Sequence, residues 1–182
     1  MMNTVPSGIV LLMICIITTS SVIYAQSAPD MHAADTKGMV NEHNKMKKVN
    51  FKNRNITMVG NLFQPSDFNE GTRYPAIIVV HPSGGVKEQT AGAYAERLAE
   101  AGFVTLAFDA SYQGESGGEP RFLDLPMNRV EDVFSAVDYL TTLSFVDIDR
   151  IGILGICAGG GYAVKASSLD RRIKVVATAS AT

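Results

Sequence analysis

The stretch Ile151-Gly152-Ile153-Leu154-Gly155-Ile156-Cys157-Ala158-Gly159-Gly160-Gly161-Tyr162 decides how this chain is read. An apolar run ends at a glycine, and a small-residue segment follows two positions after a cysteine. The pattern predicts a buried strand that turns abruptly into a helix, with Cys157 at the corner in the G-x-S-x-G arrangement, sulfur replacing oxygen. The flanking glycines have a steric task, because strand and helix meet closely on either side of a strained residue. The corner puts Cys157 at the start of the next helix, where unpaired N–H groups and the helix dipole favour negative charge. Alternatively, this is a glycine-rich turn of some other α/β protein, with Cys157 as a small core residue.

Working outward, residues 48–52 and 55–63 alternate enough to suggest a hairpin, closed by Gln64-Pro65-Ser66-Asp67. Residues 74–80, YPAIIVV, form a continuous apolar run suited to a strand covered on both faces. A glycine-containing loop at 81–85 follows. Ala91, Tyr94, Ala95 and Leu98 then mark a helical stripe ending at Gly102. Residues 103–108 read as another buried strand and 109–118 as a polar loop. Asn128, with Glu131 three residues on, predicts a capped helix start, and Val130, Val133, Phe134, Val137 and Leu140 give its apolar face. A strand at 150–156, a helix at 158–168 and a strand at 173–179 complete the series. Strands alternating with helices imply a parallel sheet with right-handed crossovers.

With 182 residues and 46% hydrophobic composition, the chain has room for one globular domain. Net charge is -2 and no basic cluster exists, which argues against nucleic acid as a partner. The apolar segment 9–17, followed by polar residues and Val22-Ile23-Tyr24-Ala25, predicts an export signal over residues 1–25, cleaved after Ala25. The protein is then periplasmic or secreted. The alternative is a retained membrane anchor over residues 8–25, the one case in which a membrane is a partner. Residues 26–44 are polar and aperiodic and read as a linker, with His32 and His43 as solvated residues. Residues 45–182 form the folded domain. Cys15 leaves with the signal, so Cys157 becomes the sole thiol and has no partner for an intramolecular disulfide.

Three motifs stand in order, each at the end of a strand. They are His81-Pro82-Ser83-Gly84-Gly85, Ser111-Tyr112-Gln113-Gly114-Glu115-Ser116-Gly117-Gly118, and Gly155-Ile156-Cys157-Ala158-Gly159-Gly160-Gly161-Tyr162. From residue 45 onward the chain resembles the α/β-hydrolase superfamily, in its dienelactone-hydrolase-like and Xaa-Pro-dipeptidyl-peptidase-like branch. The resemblance implies an α/β-hydrolase fold, a mostly parallel doubly wound sheet with an N-terminal antiparallel hairpin. It also implies a hydrolase of ester, thioester, lactone or peptide bonds, acting on a small-molecule or peptide acyl substrate. Cys157 is then the nucleophile, and the backbone N–H groups of Ala158 and Ser83 form the oxyanion hole. His81 and Asp109 are expected to shape their loops and not to transfer protons. The chain offers no phosphate loop and no cluster of metal ligands, so no cofactor is implied.

The chain departs from that pattern after Cys157. Only one carboxylate, Asp170, and no histidine follow, whereas the family's order is nucleophile, acid, histidine. Asp170 sits in a helix-to-strand loop and is not assigned to a triad. The expectation is a C-terminally incomplete fold that lacks its last strands, leaves its final strand as an edge, and turns over little substrate by itself. Two other classes stay open. One is a non-catalytic remnant or binding module of the same fold. The other is an NAD(P)-dependent short-chain oxidoreductase, suggested by the spacing of Gly155, Gly159 and Gly161.

Overall fold

A computed structural model describes residues 46–181. The expected signal segment and linker lie outside these residues, as do Cys15, His32, His43, Lys45 and Thr182. The hairpin comes first, as strands β1 (Met46–Asn53) and β2 (Ile56–Phe63). Asn53 pairs with Ile56 across the turn, and Arg54 takes a left-handed φ of 51° there. The alternation continues as β3 (Tyr74–Val80), α1 (Thr90–Glu100), β4 (Val104–Phe108) and α2 (Pro126–Thr141). The last three elements are β5 (Val146–Ile156), α3 (Ala158–Leu169) and β6 (Ile173–Ala179).

One six-stranded sheet runs in the order β1-β2-β4-β3-β5-β6. Strands β4, β3, β5 and β6 are parallel, while β2 runs antiparallel to both β1 and β4. The mostly parallel sheet with its antiparallel hairpin therefore forms as the residue pattern predicted. Its interior strands are covered on both faces, which is why their sequences are apolar at consecutive positions instead of alternating. All five residues of β4 are buried.

Helix α1 covers one face, where Ala91, Ala95 and Ala99 pack with Phe63, Val79, Ala107 and Ile156. Helices α2 and α3 share the other face over the larger core, which includes Met58, Ile78, Leu106, Phe108, Val133 and Ile153. β6 is an edge strand among the described residues, and Val175, Val176 and Ala177 on it are only half-buried.

Three local expectations need correction. Tyr94 is exposed and does not belong to the buried stripe of α1, which is carried by Ala91, Gly92, Ala95 and Ala99. Small side chains let this helix approach the sheet, and a Cβ on Gly92 would stand 2.6 Å from the Lys87 carbonyl oxygen. Helix α2 starts before Asn128, with Leu125 as the residue preceding it and Pro126 in the first turn. Proline holds Leu125 extended, at φ -106° and ψ 126°. It also lacks the N–H that a first-turn residue leaves unpaired, so it starts the helix more effectively than an asparagine two positions later. Strand β5 begins at Val146, earlier than residue 150, because Val146 pairs with Tyr74 before a register shift.

The C-terminal ends of β3, β4 and β5 lie at one end of the sheet. There the segments after residues 80, 108 and 156 converge, the usual place for a site in an open α/β sheet.

Candidate active site

Cys157 sits between β5 and α3 with φ 53° and ψ -124°, a conformation that L-residues rarely adopt. Its N–H donates to the Ala179 carbonyl at 2.9 Å, and its own carbonyl accepts from Gly160 at 2.8 Å. These bonds hold the corner against β6 and the first turn of α3. The glycines on either side leave no alternative. A Cβ on Gly155 would lie 2.2 Å from the Gly159 carbonyl oxygen, and one on Gly159 would lie 2.6 Å from that of Val80. Cys157 is half-buried, carries a free thiol and packs beside the cluster under α1. Ala158 opens α3, so its N–H belongs to the first-turn donors that a helix leaves without an internal partner.

The loop after β3 is pressed against this corner, since a Cβ on Gly159 would also lie 2.7 Å from the His81 carbonyl oxygen. A tight turn bonds Gly85 N–H to the Pro82 carbonyl at 2.9 Å, and Gly84 supplies a φ of 71°. Ser83 is exposed at the tip.

The His81 ring is buried, and both of its nitrogens are committed. Ala110 N–H donates to Nε2 at 3.2 Å, and Nδ1 lies 2.7 Å from the Pro82 carbonyl oxygen. Only the neutral tautomer with its proton on Nδ1 satisfies both contacts. Burial first, and then the neighbouring Arg129 guanidinium, lower its pKa to about 4. His81 therefore braces two loops as an uncharged ring.

A neutral, buried His81 makes stability depend on pH. The folded-state pKa of about 4 lies below the ordinary 6.5, so the unfolded chain takes up the proton first. Stability is fully present above pH 6.5 and is lost as the pH falls toward about 4. A loss of about 2 kcal/mol is expected between pH 7 and pH 5, because each tenfold difference in proton affinity between folded and unfolded chain is worth about 1.36 kcal/mol. Urea midpoints measured across that interval check it, and a flat profile would contradict a buried neutral His81.

Asp109, at the end of β4, organises its loop as expected. Its carboxylate accepts from the N–H groups of Lys87 and Glu115 at 2.8 and 2.9 Å. A Cβ on Gly114 would stand 2.3 Å from it. Lys87, which carries no signal in the sequence, is buried and reaches Asp109, Glu115 and Glu88 at 2.7, 2.6 and 2.6 Å. Burial opposes its charge, but these three hydrogen bonds outweigh it and raise the pKa above the ordinary lysine value. Glu115, held first by Lys48 and then by Lys87, is lowered to about 2. Asp132 on α2 pins the same loop from the other side. It accepts from Ser111 N–H at 2.9 Å, from Asn53 at 2.7 Å and from the Ser111 hydroxyl. Burial pushes its pKa up in spite of these bonds.

Asp124, Arg129 and Tyr162 complete the neighbourhood. The Ser83 hydroxyl donates to Asp124 Oδ2 at 2.5 Å, and the Tyr162 hydroxyl lies 3.5 Å from Oδ1. The Arg129 guanidinium stacks 5.2 Å above the Tyr162 ring and donates to Gln113 Oε1 at 3.1 Å and to the His81 carbonyl at 3.3 Å. Buried Arg129 has a lowered pKa because of that burial, with Asp124 and Asp132 opposing the shift. The sequence places Asp124 and Arg129 in a loop and on a helix flank, far from any motif. Only folding brings them beside Ser83, His81 and Tyr162.

Comparison with known proteins supports the same reading of the fold. Residues 58–181 match the dienelactone hydrolase family. The uncharacterized protein YcjY of Escherichia coli is 56% identical over 139 residues, which cover 76% of this chain and 45% of YcjY. The crystal structure of PA2218 from Pseudomonas aeruginosa aligns with a TM-score of 0.75 at 42% identity, covering 84% of this chain and 49% of that one. The thiohydrolase aneE of Aspergillus aculeatus is 33% identical over 102 residues, 56% of this chain and 32% of aneE. The chain thus spans less than half the length of each of these relatives. The glycines that could suggest a dinucleotide site follow the fifth strand and not the first, and Gly155 and Gly159 instead serve the strand–helix contact. With its sheet order, its strained corner residue and this match, the chain belongs to the dienelactone hydrolase family.

Proposed function

We propose that the chain carries the acyl-accepting part of a hydrolase that acts on ester, thioester, lactone or peptide bonds through an acyl-cysteine. The backbone of Cys157, at φ 53° and ψ -124° on the strand–helix corner, is the observation that carries this reading. Cys157 there stands at the end of β5 and directly precedes Ala158, whose N–H is one of the first-turn donors of α3. The sulfur attacks the carbonyl carbon, and the oxygen gains charge opposite the N–H groups of Ala158 and Ser83. Collapse expels the leaving group and leaves a thioester on Cys157. A relative named a thiohydrolase is consistent with a thioester as substrate.

Release of the acyl group needs a base to activate water. Among the described residues His81 is the sole histidine, and both its nitrogens are occupied. The 182-residue chain is therefore expected to acylate and then stall. Mixed with p-nitrophenyl acetate, it should release about one equivalent of nitrophenolate with little further turnover. Mass spectrometry should place an acetyl group on Cys157. Cys157→Ala should abolish both signals while keeping the circular dichroism spectrum. Equal labelling of the parent and Cys157→Ala would leave a non-catalytic member of the fold as the better description.

A further inference from the structure

The two proposed oxyanion donors come from separate segments, Ser83 on the loop after β3 and Ala158 at the start of α3. Their separation must stay constant for both N–H groups to meet one oxygen. Asp124 lies between these segments. One carboxylate oxygen accepts from the Ser83 hydroxyl at 2.5 Å, and the other faces the hydroxyl of Tyr162, in the first turns of α3, at 3.5 Å. Apart from this link, Ser83 is an exposed residue at the tip of a glycine turn.

We propose that Asp124 is a positioning residue, whose carboxylate ties the Ser83 loop to α3 and sets the distance between the oxyanion donors. The proposal rests on the acyl-cysteine reading above. A bare carboxylate beside a developing oxyanion would oppose catalysis by charge repulsion. Arg129, 5.2 Å over the Tyr162 ring, supplies a compensating positive charge from the buried side. Pro126 fixes the chain just past Asp124 at the start of α2, so the carboxylate is anchored to a rigid element and not to a free loop. Tyr162 also gains a role, as the α3 end of the tie.

Two reactions of the same sulfur separate this role from a general effect on folding. With p-nitrophenyl acetate, the S–C bond forms, the C–O bond breaks, nitrophenolate leaves with the electron pair and the thiol proton goes to buffer. The oxyanion hole is needed. With iodoacetamide, the sulfur displaces iodide at a saturated carbon and no oxyanion forms.

In the purified 182-residue chain, Asp124→Ala, which removes both carboxylate oxygens, should slow acylation about tenfold to a hundredfold, the range expected when a reacting group is displaced by about an ångström. Alkylation by iodoacetamide should stay at the parental rate. Ser83→Ala keeps the backbone N–H but removes the tie, so it should reproduce the same selective loss. The double variant should be no slower than either single one. Equal losses in both reactions, or no loss in either, would overturn the role assigned to Asp124. If the parent itself acylates no faster than Cys157→Ala, the acyl-cysteine reading fails and this role fails with it. Acylation that depends on Cys157 but ignores Asp124 sinks only the positioning role.

Discussion

Gly155→Ala is expected to destabilise the chain by about 4 kcal/mol or more, beyond the usual range for overpacking, because the clash is with backbone and not with a movable side chain. The added Cβ would meet the Gly159 carbonyl oxygen at 2.2 Å, that residue's carbonyl carbon at 2.6 Å and the Gly160 Cα at 2.6 Å. Relief requires α3 to move off β5. Any such movement strains the bond from Gly160 N–H to the Cys157 carbonyl and lifts Ala163 and Ala166 from the core. Urea unfolding followed by circular dichroism checks the expectation. A midpoint close to the parental one would mean that strand and helix are not held in this contact. Gly152→Ala, also on β5, makes a useful contrast. Its Cβ would meet nothing closer than 3.5 Å, so it should change stability far less.

Lys87→Met should lower stability by about 3–5 kcal/mol, the range for a buried ion pair that loses one partner. Lys87 and Asp109 have side-chain exposures of 1% and 0%, so water cannot replace the lost cation. Methionine fills most of the same volume, which directs the loss to the uncompensated carboxylate and not to a cavity. The loop from Asp109 to Glu115 should loosen at the same time, because the carboxylate that organises it is left without its cation. Two exposed carboxylates, Glu88 and Glu115, lose a partner as well, but their exposure keeps that share small. Adding Asp109→Asn to Lys87→Met should recover part of the loss, since it removes the stranded charge while keeping an acceptor for one of the two loop N–H groups. A Lys87→Met midpoint within about 1 kcal/mol of the parent would show the pair to be solvated.

Both expectations concern features that the sequence revealed unequally. The elbow glycines were legible because their requirement is steric and local, confined to the five residues around Cys157. The buried pair was not. Lys87 looks like any surface lysine between two loops, and Asp109 meets it only because β3 and β4 lie side by side with their ends together. The misplaced start of α2 has a different origin. A local capping pattern at Asn128 competed with Leu125-Pro126, and the backbone restriction imposed by proline prevailed. Tyr94 fitted the helical period but faces water, because the narrow gap over the sheet admits only the alanines and Gly92.

By itself the sequence determined the order of strands and helices, the parallel sheet and the position of Cys157 at a strained corner. These follow from hydrophobic period and from glycine sterics, which act over a few residues. Tertiary structure alone decided which polar groups surround that corner. His81 is neutral, Lys87 is buried among carboxylates, and Asp124 bridges Ser83 toward Tyr162, because each of these depends on partners between 22 and 48 residues away along the chain. Contacts of that span arise when strands stack side by side, and no local propensity encodes them.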